Sequence, residues 1–169
     1  MNYYLDTEFD GFGGPLLSLA LVREDGASLY LVYQDHAAQQ PWVRENVLPI
    51  LWAVPFPVTV VNCRHHGGAV RIAEFLHGDQ APHINTDWPD DIRYFCHAII
   101  TAPGQMVNIP HLSFEVHRVD AYPTALPGAV QHNAWWDAMA LRHLLTQPTK
   151  DGGNAVSYTH LTLPTTPYV

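Results

Sequence analysis

The sequence predicts an α/β domain whose mixed sheet combines a three-stranded antiparallel meander with parallel strands and is flanked by helices. Three strand-like segments follow one another through short links at the start of the chain, and helix-like and strand-like segments alternate after them. The composition fits a packed domain, because 47% of the 169 residues are apolar and only 14% are charged.

The first 33 residues have the pattern of a meander. Its three strands are predicted at residues 3–7, 16–22 and 28–33. The first segment is aromatic and β-prone, and the second is a largely apolar run that is typical of a buried strand. Glu24, Asp25 and Gly26 have the residue types of a hairpin turn and lead into the third strand. Links this short favour antiparallel neighbours.

Helices and two further strands are predicted after the meander. The helices lie at residues 42–52, 67–77, 89–100 and 134–145, and the strands at residues 83–86 and 113–119. Pro49 is expected to kink or end the first helix, because proline lacks the amide that a helix interior uses. Pro89 instead suits the first turn of its helix. Gly78 and Pro148 mark helix ends.

The end of the chain differs in character from the rest. Residues 1–147 are expected to form the domain, and the turn-rich residues 148–155 a linker or domain end. Residues 156–169 resemble the in-frame translation of a sequencing-library adapter. We therefore expect a non-native tail that lies outside the fold and replaces the natural C-terminus.

Charge and cysteine content narrow the class of protein. Eight basic and sixteen acidic residues give a net charge of −8, which argues against passive coating of nucleic acid but not against an enzyme that holds cations. Two cysteines cannot build a disulfide framework, so we expect a reduced, cytoplasmic protein. No apolar run reaches the ~18 residues of a membrane span, and the first residues lack a signal-peptide pattern.

Asp6 and Glu8 end the first predicted strand and lie two residues apart. Side chains at this spacing point to the same face of a strand, so both carboxylates converge on one place. An acidic turn that faces solvent would give the same pattern. The apolar neighbours on this strand favour a functional pair.

Two further groups contain acidic residues. His132 precedes the last predicted helix and Asp137 lies within it, while Asp87 and Asp91 flank the start of the helix at residues 89–100. Each group alone has an ordinary explanation, because acidic residues near a helix start complement the helix dipole.

Together the carboxylates indicate a site for hard cations. Oxygen ligands without cysteine suit Mg²⁺ or Mn²⁺ rather than structural zinc. Clustered carboxylates repel one another, and two divalent cations would relieve that repulsion and clamp a phosphodiester. The imidazole of His132 would then take a proton from the attacking water. Residues 63–66 contain cysteine and histidine but lack the second ligand pair of a zinc site.

The order Asp-x-Glu, Asp, His-x4-Asp resembles the DEDDh 3′–5′ exonucleases of the ribonuclease H-like superfamily, in particular small exoribonucleases of phage and actinobacterial type. The resemblance spans about residues 3–146, and residues 4–9 (YLDTEF) and 132–138 (HNAWWDA) carry it. It implies a ribonuclease H-like mixed sheet and two bound Mg²⁺ or Mn²⁺ ions. Many members are dimers, so it also allows a homodimer.

The resemblance assigns roles to single residues. Metal ligands fall on Asp6, Glu8, Asp91 and Asp137. His132 matches the general base, and Glu8 is counted with it as catalytic. Asp87 is the alternative to Asp91 as middle ligand, or a residue that meets the substrate.

Aromatic and basic residues supply the remaining candidates. The family stacks the terminal base on apolar residues after its first motif, which points to Phe9, Phe12 and Trp88, although plain packing would also place aromatic residues there. Candidates for a phosphate track are Arg64, His65, His66, Arg93, His97 and Arg142.

We therefore expect a two-metal hydrolase that releases nucleoside 5′-monophosphates from the 3′ ends of single-stranded RNA or DNA. Only the resemblance favours RNA. Sparse basic residues predict short-range binding of ends or short oligomers. The alternatives are a ribonuclease H-like endonuclease and a non-catalytic nucleic-acid-binding module on the same fold, and His132 near Asp137 favours the exonuclease.

Overall fold

A six-stranded mixed sheet flanked by four helices forms the centre of the fold, which confirms the predicted α/β class with a mixed sheet. The computed structural model describes residues 1–147 except 36, 120 and 122. The linker predicted at 148–155 and the tail predicted at 156–169 lie outside the described residues, so both stay predictions. This α/β architecture is compatible with a ribonuclease H-like fold.

The predicted elements all occur, in the predicted order, together with three short strands that were not predicted. The strands are β1 (Asn2–Phe9), β2 (Leu16–Arg23), β3 (Ser28–Tyr33), β4 (Val60–Cys63), β5 (His83–Thr86), β6 (Ile100–Ala102), β7 (Gln105–Met106) and β8 (Ser113–Val116). The helices are α1 (Pro41–Asn46), α2 (His65–Leu76), α3 (Pro89–Ile99) and α4 (Ala134–Thr146). Among the described helices, none combines the length and the apolar character that a membrane crossing requires.

The sheet has the strand order β4-β3-β2-β1-β5-β8, and β6 and β7 form a separate hairpin. Strand β2 is antiparallel to both of its neighbours, whereas β4, β5 and β8 each pair in parallel. Every strand of the sheet except β2 therefore runs in one direction. The carboxyl ends of these five strands meet at the same edge of the sheet.

Successive side chains of a strand point to opposite faces of the sheet, and both faces carry an apolar layer. Leu5 and Leu21 pack beneath α2 and α3 on one face, and Tyr4 and Ala20 pack beneath α1 and α4 on the other. By the same alternation the side chain of Thr7 points toward the α2–α3 face, and its neighbours Asp6 and Glu8 point toward the α4 face.

Four details differ from the sequence prediction, each for a physical reason. The helix predicted at 42–52 ends at Asn46, and Pro49 lies in the 3₁₀ turn Leu48–Ile50 that follows. Strand β8 stops at Val116 because its partner β5 ends at Thr86. Strand β4 and the β6–β7 hairpin were not predicted. Both are short, and β4 takes its extended conformation from parallel pairing with β3.

Gly68 marks a close approach between α2 and β3. A Cβ atom at this position would lie 2.7 Å from Cε1 and 2.8 Å from the hydroxyl oxygen of Tyr33, whose side chain is buried. Gly67 lies on the exposed side of the same helix turn. A Cβ atom there would have the Cβ atom of Cys63 as its nearest neighbour, at 3.8 Å.

We therefore expect Gly68→Ala to lower the free energy of unfolding by about 1–3 kcal/mol, because it overpacks the ring of Tyr33. Gly67→Ala is the matched control and should be neutral or stabilise by up to about 1 kcal/mol, since alanine has the better helix propensity. Urea unfolding midpoints measure both. Equal stability of the two variants would contradict this packing.

Candidate metal centre

Carboxylates from three elements meet at the edge where the parallel strands end. They are Asp6 and Glu8 of β1, Asp87 before α3, Asp91 in the first turn of α3, and Asp137 in the first turn of α4. One oxygen each from Asp6, Glu8 and Asp137 lie within 4.8 Å of one another. The same holds for Asp6, Asp87 and Asp91. Asp6 thus belongs to both groups.

Local structure explains why these side chains reach one place. Asp6 and Glu8 lie two residues apart on β1 and share a face, and a register shift after Glu8 ends the regular pairing with β2. Asn133 caps α4, because its side-chain oxygen accepts hydrogen bonds from the amides of Trp135 (3.2 Å) and Trp136 (3.3 Å). This cap fixes the helix start that carries Asp137.

Asp91 connects the ends of β1 and β5. It is only 2% exposed. One of its oxygens accepts hydrogen bonds from the amide (3.1 Å) and the hydroxyl (2.6 Å) of Thr7, and the other accepts one from the hydroxyl of Thr86 (2.6 Å). Asp87 is partly buried and directly follows Thr86. The structure therefore brings both candidates for the middle ligand to Asp6.

Burial and mutual repulsion shift the protonation of the cluster. Burial first, and then the charges of neighbouring carboxylates, raise the pKa of Glu8 to about 8 and hold the pKa of Asp6 well above its usual value. Burial likewise raises the pKa of Asp137 and of Asp91 to about 7, and the threonine hydrogen bonds limit the rise at Asp91.

The donor set fits hard divalent cations. Both groups offer only carboxylate oxygens, without thiolate or imidazole, and this chemistry suits Mg²⁺ or Mn²⁺. Positive charge would also allow carboxylates with raised pKa values to ionise together. The residues present therefore fit the ions that the motifs predict.

His132 precedes the cap residue of α4. Its backbone has φ +63°, in the left-handed region, and its imidazole meets the indole of Trp42 edge to face with ring centroids 5.0 Å apart. Burial lowers the pKa of His132, which favours the neutral ring at pH 7. A neutral imidazole is the form that accepts a proton.

The predicted stacking residues have different surroundings. Phe12 is 94% exposed and Trp88 is 54% exposed, so both offer ring surface to a ligand. Phe9 is partly buried, and its ring stacks on that of Tyr94 at 4.4 Å. One face of Phe9 is therefore already covered.

The candidates for a phosphate track do not lie together, and two of them, Arg64 and His66, are exposed at the start of α2. His65, Arg93 and His97 line a cavity of about 440 Å³ together with residues 13–16, Tyr33, Asp35 and Tyr94. Arg142 lies elsewhere and donates hydrogen bonds to the carbonyl oxygen of Glu24 (2.8 and 3.2 Å). Arg142 thus fixes the β2–β3 turn.

Sequence reasoning missed several residues that shape the site. They are Trp42, Thr7, Thr86 and Asn133. The preference of asparagine for helix caps would have found Asn133. No local signal marks Thr7 and Trp42, because their partners Asp91 and His132 are distant in sequence. Thr86 lies only five residues before its partner Asp91, so a strand-end threonine bonded to a helix carboxylate could have been predicted there.

Comparison with known proteins does not assign the chain to a family. No protein-family model matches the chain, and no curated protein matches it with significance. Membership of the DEDDh exonucleases therefore stays a prediction from the motifs.

The raised pKa values predict the pH dependence of stability in metal-free protein. A carboxylate whose pKa is higher in the folded state stabilises the fold at low pH, and that contribution is lost as pH rises through the folded pKa of about 7 to 8. The lowered pKa of His132 makes the folded protein more stable as pH rises, which opposes this trend. It is one group, whereas four carboxylates have raised pKa values. We expect the melting temperature in EDTA to fall between about pH 5.5 and pH 8.

Two controls accompany this measurement. Millimolar Mn²⁺ should flatten the decline, because cations hold the ionised carboxylates together, and Asp137→Asn should reduce it. A melting temperature in EDTA that rises across this interval would contradict a buried acidic cluster.

Proposed function

We propose that the protein is a metal-dependent 3′–5′ exonuclease that releases nucleoside 5′-monophosphates from single-stranded nucleic acid, with RNA as the expected substrate. The observation that carries the proposal is the pair of carboxylate groups that share Asp6, beside the helix start that holds His132 and Asp137. A carboxylate shared by both groups would hold two ions close together, as a two-metal hydrolase requires.

The two groups of carboxylates would each bind one ion. Asp6 would contribute to both positions, Glu8 and Asp137 to one, and Asp91 or Asp87 to the other. Two bound Mg²⁺ or Mn²⁺ ions would offset the charge of the phosphodiester and of the leaving oxygen. Glu8 is expected to matter for rate as well as for binding, since the resemblance counts it as catalytic.

His132 accepts the proton of the attacking water in this proposal. Burial lowers the pKa of His132, which favours the neutral imidazole at pH 7, and the residue lies just before the helix that carries Asp137. General-base catalysis by a positioned histidine contributes about 10²–10⁴-fold to rate.

The surroundings of the site suit the binding of the 3′ end of a single-stranded nucleic acid. Phe12 and Trp88 present exposed rings on which bases can stack. The net charge of −8 gives no long-range attraction for duplexes, so contacts near the terminus must supply the affinity.

The test is an assay on 5′-labelled single-stranded RNA with Mn²⁺, Mg²⁺ or EDTA. We expect a ladder that shortens from the 3′ end, is absent in EDTA and is absent with a 3′-phosphorylated strand. Internal cuts in the blocked strand would support an endonuclease instead.

Asp6→Asn and Asp137→Asn should abolish turnover and keep or raise the melting temperature, because carboxylate repulsion falls. Activity comparable to wild type in either variant would exclude the two-metal site.

A second prediction concerns the general base. His132→Ala should lower kcat by about 100- to 10,000-fold and leave the affinity for Mn²⁺ unchanged, because the imidazole moves a proton and holds no ion. Single-turnover kinetics and calorimetric Mn²⁺ titration measure the two quantities. An unchanged rate at neutral pH would remove His132 from the mechanism.

A third prediction separates the two candidates for the middle ligand. We expect Asp91→Asn to weaken Mn²⁺ binding by about tenfold or more, and more than Asp87→Asn does, because Asp91 is the more deeply buried and is fixed by three hydrogen bonds. Urea unfolding of both variants shows whether the fold is kept. A larger loss in Asp87→Asn assigns the ligand to Asp87.

A further inference from the structure

His132 has an unusual backbone conformation. It is the one non-glycine residue with positive φ among those that the structure describes. The left-handed region costs a non-glycine residue about 1–3 kcal/mol and persists only where the surroundings impose it. Something in the fold must therefore hold this residue in place.

The main chain next to His132 is held from the segment that follows α1. Asn133 is fully buried, and its side-chain amide donates a hydrogen bond to the carbonyl oxygen of Ile50 at 2.7 Å. Its side-chain oxygen at the same time caps α4. The start of α4 is thus fixed to the turn that ends the α1 region.

The residues just before α1 are hydrogen-bonded to the residue that follows strand β1. The carboxylate of the buried Asp10, two residues after Glu8, accepts hydrogen bonds from the amides of Gln39 (2.6 Å) and Gln40 (2.9 Å). Helix α1 then begins with Pro41 and Trp42. The position of Trp42 is therefore tied to both strand β1 and helix α4.

The imidazole of His132 itself depends on Trp42. Among the described residues, no hydrogen bond reaches this ring, although a catalytic base is commonly oriented by a third polar group. Its ring contact is the indole of Trp42, at 5.0 Å and 84°. Trp42 remains 53% exposed, so burial in the core does not explain why a tryptophan occupies this position.

We infer that Trp42 is a positioning residue that orients the imidazole of His132 by ring packing. The inference rests on the proposed function and extends it to a residue without acid–base chemistry. Trp52 provides a matched control, because it is 52% exposed, lies in the same region of the chain and makes no ring contact within the described residues.

The kinetic test compares Trp42→Ala, Trp42→Phe and Trp52→Ala. We expect Trp42→Ala to lower kcat by about 10- to 100-fold, because small displacements of a catalytic group have effects of this size, while KM and Mn²⁺ affinity stay unchanged. Trp42→Phe should recover most of the rate, and Trp52→Ala should match wild type. A raised KM with unchanged kcat would make Trp42 a substrate contact and overturn the inference.

A double variant sharpens the test. If Trp42 acts through His132, adding Trp42→Ala to His132→Ala should cost no further rate. If the two losses multiply instead, Trp42 acts independently of His132 and the inference fails.

A readout without substrate separates this inference from the proposed function. In metal-free protein, the ring current of the indole should shift the imidazole proton signals of His132, and Trp42→Ala, but not Trp52→Ala, should move them. Unchanged signals in Trp42→Ala overturn the inference whatever the activity. If wild type cleaves nothing while the signals move, the exonuclease proposal fails and the orienting contact stands.

Discussion

The mutual repulsion of carboxylates at one edge of the sheet is the constraint on which the rest of the structure depends. Five acidic side chains meet there because parallel strands end together and because two helices begin at the same edge. Partial removal from water makes their charges costly, which the raised pKa of Glu8 and Asp137 reflects. A fold that accepts such a cluster must hold each member by other contacts.

Neutral groups supply the contacts that hold Asp91 and the start of α4. The hydroxyls of Thr7 and Thr86 hold Asp91 between the ends of β1 and β5. The side chain of Asn133 holds the start of α4, which carries Asp137. Within the part of the chain that the structure describes, no lysine or arginine forms an ion pair with Asp6, Glu8, Asp91 or Asp137. The charge of these four carboxylates is therefore left for ligands to balance.

The sequence predicts the parts of this arrangement that depend on local periodicity. Strand alternation places Asp6 and Glu8 together, and the meander and the later helices follow from apolar spacing and turn residues. The choice between Asp87 and Asp91 does not follow, because it depends on how α3 packs against β5. Strand β4 was missed because its conformation comes from its pairing with β3. The contact between Trp42 and His132 joins residues 90 positions apart, so no local pattern contains it.

Protons and cations compete for the same oxygens in this site, and the balance between them is set by the neutral partners. Burial alone would keep the carboxylates protonated near neutral pH, and a protonated carboxyl is a poor ligand. The hydrogen bonds from Thr7 and Thr86 favour the ionised form of Asp91 and work against burial. Two uncharged threonine hydroxyls thereby move the pKa of the buried Asp91 toward the ionised state that a divalent cation can bind.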